Sequence, residues 1–369
     1  MDVNNFRFGI EHEIAFINSN GEFADFSNTL FSDLQKIVDV LPEYGADADQ
    51  LRTGDAGIKR KRWYIEGFER FDLDGTVIDC PPKGIEIRTS IHNSVLGAVN
   101  ELSQSIDMIR AEATKLGFAP IIASFNPNSS EFVPNPPLNS YEQSLRKESP
   151  ESRTAAIPML TYGPDLSISN ATFSTAENID IARKFTYYSP FIVPFSFSSP
   201  IVNGKVSEFL SYRTYVRTGI RPATMVFIKN TEDYVHCEPS LTQIARIPAE
   251  TGRIEFKAFD TCADFSLYSG LLALLKALAI DKTLEGRSDT PNSNLHKLSA
   301  KEGFKSEIIF ETAKRVLDTA SNTLSNASEA VLITPLRTML QARRSPAFDI
   351  VSRFQPQENV SRNLGKLIY

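Results

Sequence analysis

Glu11 and Glu13, in the stretch Phe6-Arg7-Phe8-Gly9-Ile10-Glu11-His12-Glu13-Ile14-Ala15-Phe16, are carboxylates spaced for joint chemistry. Phe6, Phe8, Ile10, Ile14 and Phe16 recur at every second residue, the pattern of a half-buried strand. The two glutamates therefore share the opposite face with the small residues Gly9 and Ala15. Same-face neighbours along a strand stand roughly 6.5–7 Å apart, and two ionised carboxylates there repel unless a cation lies over them. Two solvated glutamates on an exposed face is the simpler reading of this stretch by itself. Two later stretches repeat the device. Ile85-Glu86-Ile87-Arg88 and Ile254-Glu255-Phe256-Lys257 each alternate apolar residues with a glutamate and place a cation two residues beyond it. Three strands aiming carboxylates at one surface gather negative charge that hard divalent cations remove, and Mg2+ shared with nucleotide phosphates is the commonest such arrangement. Arg88 and Lys257 would then face anionic oxygens of the same ligand.

A second group is cationic. Arg213, Arg217 and Arg221 recur at intervals of four, so a helical stretch would align the first two. Guanidinium forks match phosphate and carboxylate oxygens, although a solvent-facing stripe has the same spacing.

Strands and helices must hold these residues in place. Besides the strands above, residues 63–71 alternate and carry Glu66, whose facing the pattern leaves open. Residues 23–44 suggest a helix closed by Pro42, and 47–61 a polar loop. The Pro81-Pro82-Lys83-Gly84 stretch suggests a turn before the Glu86 strand. Val95, Val99, Leu102, Ile106, Ile109, Ala113 and Leu116 mark an amphipathic helix, capped by Asn93 or Ser94 and ended by Gly117. Residues 124–166, crowded with proline, asparagine and serine, form a long loop that Phe125, Phe132 and Tyr141 would anchor. Ser174-x-x-Glu177 is a capping box opening a helix that runs to Pro190. From about residue 263 the chain is helical: 265–280 apolar all round, 307–324 and 328–340 amphipathic, and 348–368 a docked tail. Strands before residue 90 and between 160 and 260, with helices between and after, make an α+β chain.

Composition narrows the function classes. The 369 residues are 41% hydrophobic and 23% charged, enough for a sizeable core, and the length allows one large domain or two ordinary ones. A net charge of −6 argues against nucleic acid as the main partner, and the one dense basic run, Lys59 to Arg62, reads as a solvated turn. Cys80, Cys237 and Cys262 lack metal-ligand spacing and read as structural thiols of a reducing compartment. The first residues lack the pattern of a signal peptide, and the longest apolar window, 267–280, contains Lys276 and is too short to span a bilayer. The expectation is a cytoplasmic protein without membrane partners.

Four stretches together resemble the glutamate–cysteine ligase family, its second large class with the related carboxylate–amine ligases. They are Gly9-Ile10-Glu11-His12-Glu13, Gly84-Ile85-Glu86-Ile87-Arg88-Thr89, Ser199-Pro200 with Ser211-Tyr212-Arg213 and Arg217-Thr218-Gly219, and Gly252-Arg253-Ile254-Glu255-Phe256-Lys257-Ala258-Phe259-Asp260. The resemblance implies a glutamine synthetase/guanidino kinase-like fold, a curved, mainly antiparallel sheet forming a funnel with helices on its outer face. It implies one catalytic domain over 1–369 and an acyl-phosphate reaction that uses ATP and Mg2+ to join a carboxylate, usually the γ-carboxylate of glutamate, to an amine such as cysteine. By position, Glu11, Glu13, Glu86, Glu255 and more weakly Asp79 would bind metal. Arg213 would hold the transferring phosphoryl group with Lys257 beside it, and Arg88, Arg217 and Asn170 would bind the nucleotide. Lys257 stands where the family usually has arginine, and Ser167 to Thr172 stands where many members have histidines. The partners implied are small molecules, and a homo-oligomer is allowed. A phosphotransferase of the same fold and a non-catalytic nucleotide-binding regulator are the competing readings.

Overall fold

The computed structural model describes residues 5–58, 62–324, 326–355, 358, 363 and 365–367. Its centre is a curved nine-stranded sheet. Seven strands make the main path: β1 (Phe6–Ile17), β2 (Trp63–Gly67), β3 (Pro82–Arg88), β4 (Pro164–Asn170), β5 (Thr224–Ile228), β6 (Thr242–Ile244) and β7 (Ile254–Phe256). Their spatial order is β6-β5-β7-β4-β1-β3-β2, and every pair is antiparallel except β5 with β6. Two short strands, Phe23–Ala24 and Ala119–Ile121, pair with the last residues of β1.

The period-two pattern of β1 does what it predicts. Phe6, Phe8, Ile10, Ile14 and Phe16 are buried in one apolar layer with Ile85, Ile87, Leu166, Ile168, Ile254 and Phe256. Four helices cover that layer: α1 (Phe31–Val40), α2 (Val95–Lys115), α3 (Thr175–Ile192) and α5 (Phe265–Ile280), while α4 (Tyr212–Arg217) lies elsewhere in the fold. Ser94 caps α2 by accepting from the Gly97 amide, and Gly117, at φ +80°, ends it. The Ser174–Glu177 capping box opens α3, and α5 is buried on all sides as its composition requires. His12, between the two glutamates of β1, points into this layer and meets Tyr268 Oη at 2.8 Å. Burial holds its imidazole down to about 4, so it stays neutral. The same apolar core continues into the C-terminal helices, including Glu307–Thr323.

Three expectations are corrected. Residues 23–44 are not one helix: Asn28 donates to the Phe23 carbonyl, and Asp25 accepts from Ser27 and, through its backbone, from Asn28 and Thr29. These local bonds compete with helix and delay α1 to Phe31. The Pro81–Gly84 turn is instead the start of β3, which contains a bulge. Residues 328–340 divide into Ala327–Ala330, a 3₁₀ turn at Val331–Ile333 and Thr334–Gln341.

The 124–166 segment is ordered by its own core. Phe125, Phe132, Met159 and Leu160 pack with Phe68, against Tyr212 of α4. Arg70 forks onto buried Glu142 at 2.6 and 3.1 Å, and the amides of Phe71 and Asn139 donate to the same carboxylate. Of the basic run, Lys59, Arg60 and Lys61 lie outside the described residues, while Arg62 is turned inward to Asp47 and Glu101. Of the C-terminal tail, Ala347–Arg353 is a helix, and most of the chain beyond Gln355 lies outside the described residues.

Candidate active site

Directly opposed residues in an antiparallel pair share a face, so the register decides which carboxylates meet. Glu11 lies opposite Arg88 on one side and Asp165 on the other, Glu13 opposite Glu86, and Glu86 opposite Tyr64. Glu66 lies opposite Gly84, and Ser167 lies between Gly9 and Glu255. Glu11, Glu13, Glu66, Glu86, Asp165 and Glu255 therefore form one acidic strip on the sheet face turned away from the helices.

Four cations are threaded through it. Arg253 reaches Glu255 at 2.6 Å and Glu11 at 3.3 Å, Lys257 pairs with Asp165 and with Glu255 at 2.9 Å, and Arg88 reaches Glu86 at 3.1 Å. Arg88 is further held with its guanidinium 3.9 Å from the centre of the Tyr64 ring. Lys83 pairs with Glu13 at 2.6 Å and Glu66 at 2.9 Å. Six carboxylates against four cations leave negative charge in excess, and the carboxyls respond unequally. Burial pushes Glu11 up, but Arg253, Arg88, Arg52 and Lys257 outweigh it and hold it down to about 2. Glu13 is lowered, Lys83 prevailing over burial. Burial and the Glu11 charge push Glu86 up to about 8, burial and Glu13 push Glu66 well up, and burial brings Asp165 up to about 6 despite Lys257. Without a further cation, part of the strip holds protons at neutral pH.

Beside the strip stands a group of opposite character. Ser211 caps α4, which brings Arg213 and Arg217 four residues apart onto one line, and both donate to the Lys257 carbonyl, at 3.1 and 3.2 Å. Arg213 is 2% exposed. Its nearest carboxylate is Asp260 at 3.8 Å, and its Nε and Nη1 have no hydrogen-bond partner. Asp260 is itself held by the Ser198 amide and the hydroxyls of Ser199 and Ser211. Arg213 packs over Gly163, where an added Cβ would fall 2.3 Å from Nη2, and the Gly163 amide donates to Glu13 at 2.8 Å. Arg221 donates to the Glu151 carbonyl and the Thr154 hydroxyl of the 124–166 segment. Burial and the neighbouring Arg213 and Arg221 charges push Arg217 well below the usual arginine range. Arginine does not lose its proton in proteins, so this marks unmatched positive charge.

The sequence profile of glutamate–cysteine ligase family 2 matches residues 7–347. The chain belongs to this family. It is accordingly an ATP-dependent carboxylate–amine ligase, and its sheet is the one that fold family implies. Among solved structures it is similar to the glutamate–cysteine ligase of Francisella tularensis in complex with AMP, at 11% identity and a TM-score of 0.57 over 99% of this chain and 87% of that one. It is similar too to the bifunctional glutathione synthetase of Pasteurella multocida, at 12% identity and a TM-score of 0.57 over 99% of this chain. The chain spans about half the length of that protein, 51%. No curated protein matches it by sequence. Among the described residues no helix is long and apolar enough to cross a membrane.

In this ligase Glu11, Glu13, Glu86 and Glu255 share the strip with Arg88 and Lys257, and Arg213 and Arg217 adjoin it through the Lys257 carbonyl. Two expected site residues are elsewhere. Asp79 is exposed on a hairpin where Val77–Asp79 pairs with Arg70–Phe71, and its carboxylate accepts from the Cys80 amide. Asn170 is on the helix-covered face, opposite Phe6, and its Oδ1 accepts from the amide and hydroxyl of Thr172 in a tight turn. Sequence reasoning missed Asp165, Arg253 and Lys83. Asp165 alternates with Leu166 and Arg253 with Ile254, so period two was a signal for both. Lys83 had none.

Proposed function

We propose that this ligase transfers the γ-phosphoryl group of ATP to the γ-carboxylate of glutamate and that an amine such as cysteine then displaces phosphate from the acyl carbon. One observation carries the reading: a strip with excess carboxylate lies against a buried arginine with uncommitted donors. The donor set fits Mg2+, since it is all oxygen and the Glu13, Glu66 and Glu86 oxygens lie within 4.8 Å of one another. Glu13, Glu66 and Glu86 would hold the ion, with Glu11 and Glu255 farther along the strip, and when bound it would neutralise phosphate oxygens and polarise the transferring phosphorus. Arg88, Arg253 and Arg7 line a cleft with Gly9, Glu11 and Ser167 over one end of the strip, suited to the nucleotide phosphates. Arg213, whose Nε and Nη1 have no hydrogen-bond partner, would stabilise the charge that develops on the transferred oxygens as a preorganised buried donor. Arg217 and Lys257 add charge beside it.

The test is ADP release by the purified chain with ATP, Mg2+, glutamate and a panel of amines. Release that requires both glutamate and an amine supports the reading. Release with the carboxylate alone, leaving a stable phosphorylated product, would make the chain a phosphotransferase. In parallel, ATP should raise stability only with Mg2+, by roughly 2.7 kcal/mol at a hundredfold excess over its dissociation constant. An equal shift with ATP and chelator sinks the metal assignment.

A further inference from the structure

A cavity of about 570 Å³ lies between the start of α5 and the helices Thr334–Gln341 and Ala347–Arg353. None of its described lining residues belongs to the acidic strip or to α4. The chain turns between the two later helices through Arg343, at φ +49°, and Pro346 precedes the second of them. Ile122, Leu267, Pro335, Met339, Ala342 and Ile350 give the cavity an apolar wall. Small organic molecules bind in spaces of this size and lining, where a few placed polar groups fix the head of the ligand.

The polar groups of the wall are unequally committed. Ser345 is 4% exposed, and its hydroxyl has no hydrogen-bond partner. A buried hydroxyl in that condition is destabilising until a polar group of a ligand reaches it. Of the two acids in the wall, Asp264 accepts from the Ser266 amide as the N-cap of α5, and Asp349 accepts from one guanidinium nitrogen of Arg344 at 2.9 Å. Of the three cations, Lys366 reaches Glu358 at 2.8 Å, Arg344 keeps the other nitrogens of its fork, and Arg353 adds a second guanidinium. The Arg344–Asp349 pair is exposed, so rearranging it costs little. The wall is rich in donors while its acceptors are in use, the balance that suits a carboxylate and not an ammonium.

We propose that this cavity is a second ligand site, for a small organic anion that places a carboxylate at Ser345, Arg344 and Arg353 and an apolar body against Leu267, Met339 and Ile350. The assignment is independent of the nucleotide and metal readings of the acidic strip. The two sites nevertheless share a wall. Ser198 lines the cavity, and its amide donates at 2.9 Å to Asp260, whose other oxygen is 3.8 Å from Arg213.

The experiment is calorimetric titration of the full chain with hexanoate, octanoate and octylammonium, for the wild type, Ala342→Trp and Arg353→Gln. Octanoate should bind the wild type roughly 15-fold more tightly than hexanoate, since each buried methylene contributes about fourfold, and octylammonium should not bind. Ala342 is exposed at the end of its helix, so the indole of Ala342→Trp can enter the cavity without disturbing the core, and octanoate binding should be lost. Arg353→Gln should weaken octanoate by about tenfold, as for the loss of a charge-assisted hydrogen bond. A wild type that binds no octanoate overturns the inference, and so does octylammonium that binds as tightly. Octanoate bound equally by Ala342→Trp lies elsewhere on the chain and overturns it too. An affinity for octanoate no better than for hexanoate would mark an adventitious additive only, with the same consequence. Should Ala342→Trp not fold, the contrast with octylammonium and the exposed Arg353→Gln decide: unchanged binding by Arg353→Gln overturns the inference.

Discussion

The acidic strip and the arginine helix meet at Lys257, whose ammonium serves the first and whose carbonyl serves the second, and they are unbalanced in opposite senses. On the strip, six carboxylates outnumber four cations, and burial with the neighbouring negative charge pushes Glu86 and Glu66 up so that they hold protons near neutral pH. On the helix, Arg213 is buried and Arg217 half-buried, with backbone carbonyls as their main acceptors and no carboxylate within 3.5 Å. Each half carries an electrostatic cost that a ligand of the other sign would remove. A cation chelated by an oligophosphate carries both signs at once. That asymmetry, more than any single residue, is the physical argument that the two halves are one site.

The largest expected effect comes from emptying the cationic half. Arg213→Ala should lower turnover by about 10²–10³-fold, because a donor aimed at developing charge acts in the transition state. Arg213→Lys should recover little, since an ammonium cannot reproduce the fork. Steady-state ADP release with the substrate pair in hand is the measurement. A raised Michaelis constant for ATP at unchanged turnover would make Arg213 a ground-state anchor.

Next in size is a displacement of the same group. Gly163→Ala puts a Cβ 2.3 Å from Arg213 Nη2, so the guanidinium must shift by the order of an ångström. Misplacement on that scale costs about 10²-fold in rate. The backbone conformation allows alanine, since φ here is not positive, so the fold should survive with its melting temperature near wild type. Turnover equal to wild type would mean that the position of Arg213 is not critical.

These two predictions use different amounts of sequence information. The carboxylates of β1, β3 and β7 are legible because alternation against Phe and Ile residues is strong and the sheet obeys it. Arg213 and Arg217 are legible because four-residue spacing and the Ser211 cap agree. What period two misses is whatever breaks it: the bulge at Lys83 depends on pairing with β2, a contact no local pattern records. Asn170 departs from its expected role because its amide is used by its own turn, and residues 23–44 depart from helix because Asp25 and Asn28 bind nearby backbone. In each case local hydrogen bonding or strand pairing decides, and composition does not.

A smaller effect tests whether the 124–166 segment is a fixed wall between the two halves. Its Glu142 carboxylate is held down to about 2 by the Arg70 fork, against burial and with help from the Asn139 and Phe71 amides. The folded value lies below the unfolded one near 4.3, so the pair contributes stability above that pH and loses it as pH falls toward 2. Glu142→Gln should cost about 1.5–3 kcal/mol near neutral pH, as for hydrogen bonds to a charged group, with the gap to wild type closing in acid. Denaturant unfolding at a series of pH values reads it directly. A gap that persists unchanged at low pH would show that packing, not the ion pair, holds the segment.

The smallest expected effect concerns Asp79, which precedes the Glu86 strand closely enough to pass for a further ligand of the strip. The hairpin takes it away. Its carboxylate accepts from the adjacent Cys80 amide and is exposed, and Glu66 and Asp165 stand on the strip instead. Asp79 lies opposite Arg70 but outside its buried pair with Glu142, and an exposed aspartate of this kind is worth no more than about 0.5 kcal/mol on substitution. Asp79→Asn should therefore leave unfolding free energy within that margin and leave Mn2+ affinity unchanged, whereas Glu86→Gln weakens it. The comparison needs only the two variants and one titration each. If Asp79→Asn weakened Mn2+ binding as much as Glu86→Gln does, the hairpin would have to fold over the strip when metal binds. The acidic half would then be assembled by its ligand, not preformed by the sheet.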